Sequence, residues 1–263
     1  MTEKVRNIAM ERMAKGGLAI GLGVRAVKSV DIGLFAVTAG FDWLFIDCEH
    51  GALDLGTVAE IATAALGQGV TPIVRVPGKE HHHASRVLDN GAQGVVVPHV
   101  ENADEARQVV SNCKFPPIGH RSISRSSALF GFRDVPIPEF VTAVNESTLV
   151  CVMLESPNAI ANADAIAAVP GVDALMIGTN DFCAEAGIGG QLGHEIVVKA
   201  YETVTAACRK HKKFAGMGGV GTNELMAKYV AMGAQFLLGG ADQGFIISGG
   251  KARTSFLRTV NGK

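Results

Sequence analysis

Short apolar runs alternate along the chain with longer stretches whose apolar residues recur at helical spacing. Eight runs stand out: Leu18 to Val24, Trp43 to His50, Pro72 to Val76, Gly94 to Val100, Leu149 to Ser156, Ala174 to Asp181, Phe214 to Gly218 and Gln235 to Gly240. Between them lie helical candidates at Leu55 to Leu66, His83 to Asn90, Ala103 to Ser111, Ala159 to Ala168, His194 to His211 and Asn223 to Met232. Strand-like runs separated by helical patterns mark repeated βα units and a parallel sheet. Trp43 to Ile46 is apolar without alternation, as expected of a strand covered on both faces. Eight such units predict an α/β protein built as a (β/α)8 TIM barrel, with an extra N-terminal helix around Val5 to Met13. A doubly wound open sheet is the rival. Polar residues at the C-terminal ends of many strands favour the barrel, and no G-x-G-x-x-G opens the first helix.

Ionisable residues gather where the runs end. The second run closes on Asp47, Glu49 and His50; the third places Arg75 in Val74-Arg75-Val76-Pro77; the fifth places Glu155 before Ser156; the sixth ends in Gly178-Thr179-Asn180-Asp181. In a closed barrel these positions converge on one mouth. A charged group at the end of a buried strand needs a partner, water or a ligand, because burying it alone has a large desolvation cost. Each has a purely structural alternative: Asp47, Glu49 and His50 as an internally paired cluster, Arg75 as a partner of Glu49, Asp181 as a helix cap. Their recurrence at the same end of successive strands favours a site. Glu155 and Asp181 offer two hard oxygen donors, which suits a cation such as Mg²⁺ that keeps waters or substrate oxygens in its shell. Amides of the Gly178 to Asp181 turn would hold a substrate carboxylate. Arg75 would supply positive charge to an oxygen that becomes anionic during reaction.

Composition narrows the classes of function. With 48% hydrophobic and 19% charged residues, the chain can bury a full core, and residues 1–263 are read as one barrel domain. A formal net charge of -1 and the lack of a basic run argue against a nucleic-acid partner. The charged start Met1-Thr2-Glu3-Lys4-Val5-Arg6 is followed by no apolar signal core, and no apolar segment reaches transmembrane length. A cytoplasmic protein without a membrane partner is expected. Cys48, Cys113, Cys151, Cys183 and Cys208 form no C-x-x-C pair and read as reduced thiols packed as small hydrophobes, with only Cys183 near a site.

Other features carry two readings. His81-His82-His83 follows a Pro-Gly turn and reads more readily as a solvated helix start than as a metal site. Gly218-Gly219 and Gly239-Gly240 fall where many barrels bind phosphate, yet close strand-loop packing explains them equally well. Cys113 to Glu139 is a long connection of the kind used as a lid or binding loop, and its Arg121 and Arg125 are candidates for an anionic group of a second substrate. Phe245, Ile246 and Ile247, ahead of a short basic helix in the last twenty or so residues, would mark an oligomer contact if exposed.

The stretch Phe41-Asp42-Trp43-Leu44-Phe45-Ile46-Asp47-Cys48-Glu49-His50 resembles the HpcH/HpaI family of class II pyruvate-dependent hydroxy-ketoacid aldolases, which includes 4-hydroxy-2-oxoheptanedioate aldolase and 2-dehydro-3-deoxyglucarate aldolase. The resemblance runs from about Gly17 to Gly250, through V-R-V-P, Leu88-Asp89-x-Gly91-Ala92, an E-S pair after an apolar strand and G-x-x-D before a helix, in the family's order. It implies a phosphoenolpyruvate/pyruvate-type barrel. Glu155 and Asp181 would be ligands of a divalent metal (Mg²⁺, Mn²⁺ or Co²⁺), Arg75 the enolate-stabilising arginine, and His50 with Asp89 an acid/base dyad. Asp47 and Glu49 would orient water and Arg75. It also implies a homohexamer, a trimer of dimers with exchanged C-terminal helices. Three departures bear on the second substrate: Met153 where many members have Gln, Thr179-Asn180 where many have Pro and Ala or Ser, and Ser122 where Gly usually follows the arginine.

The expected activity is metal-dependent cleavage of a 4-hydroxy-2-oxo acid into pyruvate and an aldehyde, with the reverse addition. A Schiff-base mechanism would need a lysine at a strand end, and none of the strand ends named above carries one. The rivals are a citrate lyase β-like lyase acting on acyl-CoA or an oxo acid, against which the His50 motif speaks, and a keto-acid-binding barrel without turnover.

Overall fold

The computed structural model describes residues 5–260, so Met1 to Lys4 at the charged start, and the last three residues, lie outside the described part. Eight parallel strands close into a barrel in sequence order. They are β1 (Ala19–Val24), β2 (Trp43–Asp47), β3 (Thr71–Arg75), β4 (Gly94–Val97), β5 (Leu149–Leu154), β6 (Ala174–Gly178), β7 (Phe214–Gly218) and β8 (Ala234–Ala241). The helices are α1 (Ile8–Ala14), α2 (Ile32–Thr38), α3 (Leu55–Gln68), α4 (His81–Asp89), α5 (Ala103–Cys113), α6 (Ile137–Ser147), α7 (Pro157–Ala161), α8 (Ala163–Ala167), α9 (Thr179–Glu185), α10 (Glu195–His211), α11 (Asn223–Met232) and α12 (Asp242–Val260). The expected barrel is therefore the fold, and α1 is the extra N-terminal helix.

Side chains on each strand alternate between two cores. Leu44, Ile46, Val74, Val150 and Val152 pack outward against the helices, whereas Trp43, Phe45, Ile73, Cys151, Met153, Met176 and Phe236 fill the barrel. Trp43 stacks on Phe236 with centroids 4.1 Å apart, and its indole N–H donates to the Ala19 carbonyl at 3.1 Å. The indole takes the room a side chain would need at Gly21, where an added Cβ would come within 2.3 Å of the ring. Ala9 and Met13 of α1 join this interior cluster and close the N-terminal end of the barrel.

This period of two places the functional groups. On β2 the inward series Trp43, Phe45 continues to Asp47; on β3, Ile73 continues to Arg75; on β5, Cys151 and Met153 lead to Glu155 just past the last strand residue. The register pairs Asp47 with Arg75 across β2 and β3. Charged residues thus form the layer above the apolar filling, at the C-terminal mouth.

Several boundaries differ from the sequence reading. The second and sixth runs were expected to reach His50 and Asp181, but β2 stops at Asp47 and β6 at Gly178, where α9 begins. Ala159 to Ala168 forms two five-residue helices meeting at Asn162, whose side chain donates to the Glu101 carbonyl. The long connection after β4 contains a short 3-10 turn and α6, which packs Phe140 and Val144 against Phe115 and Phe130. The stretch after β8, expected to hold a short basic helix, is a single 19-residue helix, α12.

Candidate active site

Asp47 organises the mouth. It is fully buried and accepts from Arg75 Nε and Nη2 at 3.0 and 2.7 Å, from Arg25 Nε at 2.6 Å, and from the Glu49 and His50 amides at 3.2 Å each. Burial pushes its pKa upward, but the hydrogen bonds and charge of Arg75, with the His50 amide and Arg25, outweigh it and hold the carboxyl below the usual aspartate value. Arg75 Nη1 lies 2.8 Å from Glu49 Oε2, and the guanidinium covers the Phe45 ring at 5.1 Å. Arg75 is thereby fixed by a planar, bidentate geometry that only a guanidinium provides.

Across the mouth stands Glu155, almost wholly buried. Burial raises its pKa, the His99 amide and imidazole lower it, and the charges of Asp181 and Glu49 raise it again, leaving it above the ordinary glutamate value. Gly178 makes room for this side chain: an added Cβ there would come within 2.6 Å of Glu155 Cγ and Oε1. His99 bridges the two carboxylates, with Nδ1 3.2 Å from Glu155 and Nε2 3.4 Å from Glu49, from a backbone at φ 54°. His99 and Arg25 were both missed in the sequence, although Arg25 directly follows β1 and His99 lies two residues past β4, close to the strand ends that marked the others.

A cavity of about 420 Å³ opens between these groups. Its wall includes Arg25, Arg75, His50, Met153, Glu155 and Asp181, with Thr179, Asn180 and the glycines 218, 219 and 221 around them. Thr179 is buried and its hydroxyl shares a hydrogen bond with Tyr201, while Asn180 donates to the Gly219 carbonyl at 3.3 Å. The glycines after β7 thus line this cavity.

Three expected site residues are engaged elsewhere. Asp89, expected beside His50, accepts from Arg121 Nη2 at 2.6 Å and does not line the cavity. Arg121, expected to meet substrate, is buried on Asp89 and over Phe115 at 4.7 Å, since its guanidinium finds there both a counter-charge and an aromatic face. Arg125 is exposed and pairs with Asp134. His50 faces the cavity with its ring exposed, and among the described residues no side chain orients it. His81 and His82 are exposed at the start of α4, in keeping with a solvated helix end.

Among the described residues no group of three or more His, Cys, Asp or Glu side chains forms a metal cage. The donor set nevertheless fits a cation that needs few protein ligands. Glu155 is a buried carboxylate whose ionised form is opposed by burial and by the charges of Asp181 and Glu49, and a divalent cation shared with Asp181 would relieve both.

A closed parallel barrel with its charged groups gathered over the C-terminal ends of the strands is an enzyme architecture. Comparison with known proteins defines the class further. The model of the HpcH/HpaI aldolase/citrate lyase family matches residues 31–248, and the chain belongs to that family. It is a lyase of the aldolase type. The 4-hydroxy-4-methyl-2-oxoglutarate aldolase of Hapsidospora irregularis is 37% identical over 247 residues, covering 92% of each chain. A second enzyme of that name, from Chaetomium globosum, is 37% identical over 236 residues, with 88% of each covered. In structure, an HpcH/HpaI aldolase of Desulfitobacterium hafniense superposes with a TM-score of 0.91 at 29% identity, over 96% of this chain and 97% of the other.

Proposed function

We propose that the protein cleaves the C3–C4 bond of a 4-hydroxy-2-oxo acid, releasing pyruvate and a second carbonyl compound, and catalyses the reverse addition. The observation that carries this reading is Arg75, a guanidinium held by Asp47 and Glu49 on the wall of a cavity that Glu155 and Asp181 also line. A divalent cation held by Glu155 and Asp181 would supply Lewis-acid polarisation of the keto oxygen. The remaining work falls to the chain's own groups. In cleavage, the electron pair of the C3–C4 bond passes into the C2 carbonyl, and Arg75 stabilises the oxygen that becomes anionic without having to reorient. His50 takes the proton of the C4 hydroxyl, directly or through a water, and the C4 carbon leaves as a carbonyl. A proton delivered to C3 completes pyruvate. Thr179 and Asn180 line the end of the cavity next to Asp181, where the keto acid's carboxylate would lie. Asp89 and Arg121 pair with each other outside the cavity and are given no step in this reaction.

The two relatives above act on a substrate methylated and carboxylated at C4. For that compound the second product is itself pyruvate rather than an aldehyde, and we extend the proposal to it. Subunit association belongs to the same reading. Phe245, Ile246, Ile247, Phe256, Leu257 and Val260 of α12 are exposed in the single chain, as expected of a helix that packs on another subunit in a hexamer. No helix among the described residues is long and apolar enough to cross a membrane, which is compatible with the cytoplasmic location we propose.

Incubating the purified protein with 4-hydroxy-4-methyl-2-oxoglutarate and Mg²⁺, Mn²⁺ or Co²⁺ should release two pyruvates per substrate, and chelation should stop the release. Turnover of an acyl-CoA with none of any 4-hydroxy-2-oxo acid would overturn the reading in favour of a citrate lyase-like activity.

A further inference from the structure

The two arginines on the cavity wall are held very differently. Arg75 is buried, and Nε, Nη1 and Nη2 are all within 3.0 Å of a carboxylate oxygen. Arg25, one residue past β1, is only partly buried and uses Nε alone, 2.6 Å from Asp47 Oδ2. Neither of its Nη nitrogens has a partner among the described residues. Asp47 accounts for Nε alone. Its Oδ1 accepts from Arg75 Nε and the amides of Glu49 and His50, and its Oδ2 from Arg75 Nη2 and Arg25 Nε. Both oxygens are then fully used, so Asp47 has nothing left for the Nη nitrogens of Arg25.

The base of the Arg25 side chain is fixed. The amides of Arg25, Ala26 and Val27 converge on the buried carboxylate of Asp242, at 3.1, 2.8 and 2.8 Å to Oδ2. With Nε anchored on Asp47 and the backbone anchored on Asp242, the free edge of the fork is directed from a rigid support rather than from a mobile surface chain. The cavity beside it is walled by glycines, and at Gly221 an added Cβ would meet nothing within 4 Å. A guanidinium with two spare donors in such a place matches a carboxylate in bidentate geometry.

We infer that Arg25 binds the distal carboxylate of the substrate, the one attached beyond C4, so that the site selects short 4-hydroxy-2-oxo diacids over analogues with an uncharged group there. The inference rests on the aldolase reading above. Arg75 then serves the oxygen at C2, and Arg25 serves the opposite end of the same molecule.

The test compares kcat/KM of the metal-loaded, full-length enzyme on 4-hydroxy-2-oxoglutarate, which carries a carboxylate on C4, and on 4-hydroxy-2-oxopentanoate, which carries a methyl group there. Wild-type protein should prefer the diacid by about 10- to 100-fold, the range expected for one charge-assisted hydrogen-bonding group. Arg25→Gln should remove most of that preference, chiefly through KM, and leave the pentanoate within about threefold by the same reasoning. Arg25→Lys should recover part of it. Loss of the Arg25 contact to Asp47 should lower exchange of the pyruvate methyl protons into deuterated water by no more than it lowers cleavage of the pentanoate. An equal loss on the two substrates would show that Arg25 acts only by holding Asp47. A wild-type enzyme that exchanges pyruvate but favours the pentanoate would overturn this inference alone, whatever the variants do. Protein that neither exchanges pyruvate nor cleaves either substrate would overturn the aldolase reading and this inference with it.

Discussion

Replacing Arg75 by lysine keeps a positive charge at the mouth of the barrel and removes the planar fork. In the native site three guanidinium nitrogens are used at once, two on Asp47 at 3.0 and 2.7 Å and one 2.8 Å from Glu49, while the plane lies over Phe45. An ammonium is a single point of attachment on a flexible stem, so it can follow Asp47 or Glu49 but cannot hold the same position against a substrate oxygen. Losing one preorganised donor to a developing oxyanion costs about 3–4 kcal/mol of barrier, or roughly a hundredfold to a thousandfold in kcat. Stability should suffer less. Asp47 keeps Arg25 and two backbone amides, so a loss of about 1–3 kcal/mol is expected, the range for an incompletely satisfied buried polar group. Steady-state pyruvate release from a 4-hydroxy-2-oxo acid gives kcat, and urea unfolding followed by circular dichroism gives stability. Turnover within a few-fold of wild type would refute the reasoning and leave Arg75 as a structural partner of Asp47 and Glu49. A loss of turnover that merely tracks unfolding would do the same.

Three further outcomes follow from the same geometry. His50→Ala should reduce cleavage by about two to four orders of magnitude, the range for a positioned acid or base, yet retain metal-dependent pyruvate binding by calorimetry; unchanged cleavage would return His50 to a supporting role. Asp47 is held ionised in the folded protein, so its stabilising effect is complete above the unfolded aspartate pKa of about 4 and is lost as pH falls below that toward the lower folded value. The stability difference between wild type and Asp47→Asn should therefore shrink in urea titrations from pH 5 to pH 3, and a difference that stays level would contradict the ion-pair account. Gly178→Ala places a methyl group where Glu155 lies, 2.6 Å from its Cγ, and should weaken Mn²⁺ binding about tenfold or more, in the range for disturbing a metal site's support; unaltered binding would argue against Glu155 as a ligand.

The barrel was legible because its signal is carried by composition. Runs such as Leu149 to Leu154 and Ala174 to Ile177 are wholly buried, and a strand covered on both faces cannot conceal its apolar character. The site was legible wherever a charged residue continued the inward series of a strand, as Asp47, Arg75 and Glu155 do. Arg25 and His99 lie one and two residues past the ends of β1 and β4, beyond the inward series, and nothing local marks a side chain that turns back across the mouth. The pairing of Asp89 with Arg121 joins residues 32 apart through a long connection, and such closures depend on loop packing that periodicity does not encode. The same holds for α2, whose Leu34, Phe35 and Val37 are exposed and whose pattern therefore lacks a clear polar face. Ala159 to Ala168 looked like one helix because its alanines are strong helix formers, whereas the Asn162 contact with Glu101 divides it.

The central claim is that Arg75, with a cation held by Glu155 and Asp181, makes the enolate of pyruvate. Proton NMR of pyruvate in deuterated buffer observes that step without any choice of partner carbonyl. Loaded with Mg²⁺, Mn²⁺ or Co²⁺, the enzyme should exchange the methyl protons well above the protein-free rate. Exchange should stop with chelator, return with added metal, and be lost in Glu155→Gln. Methyl protons that persist at the protein-free rate in the presence of the folded, metal-loaded enzyme would contradict the account.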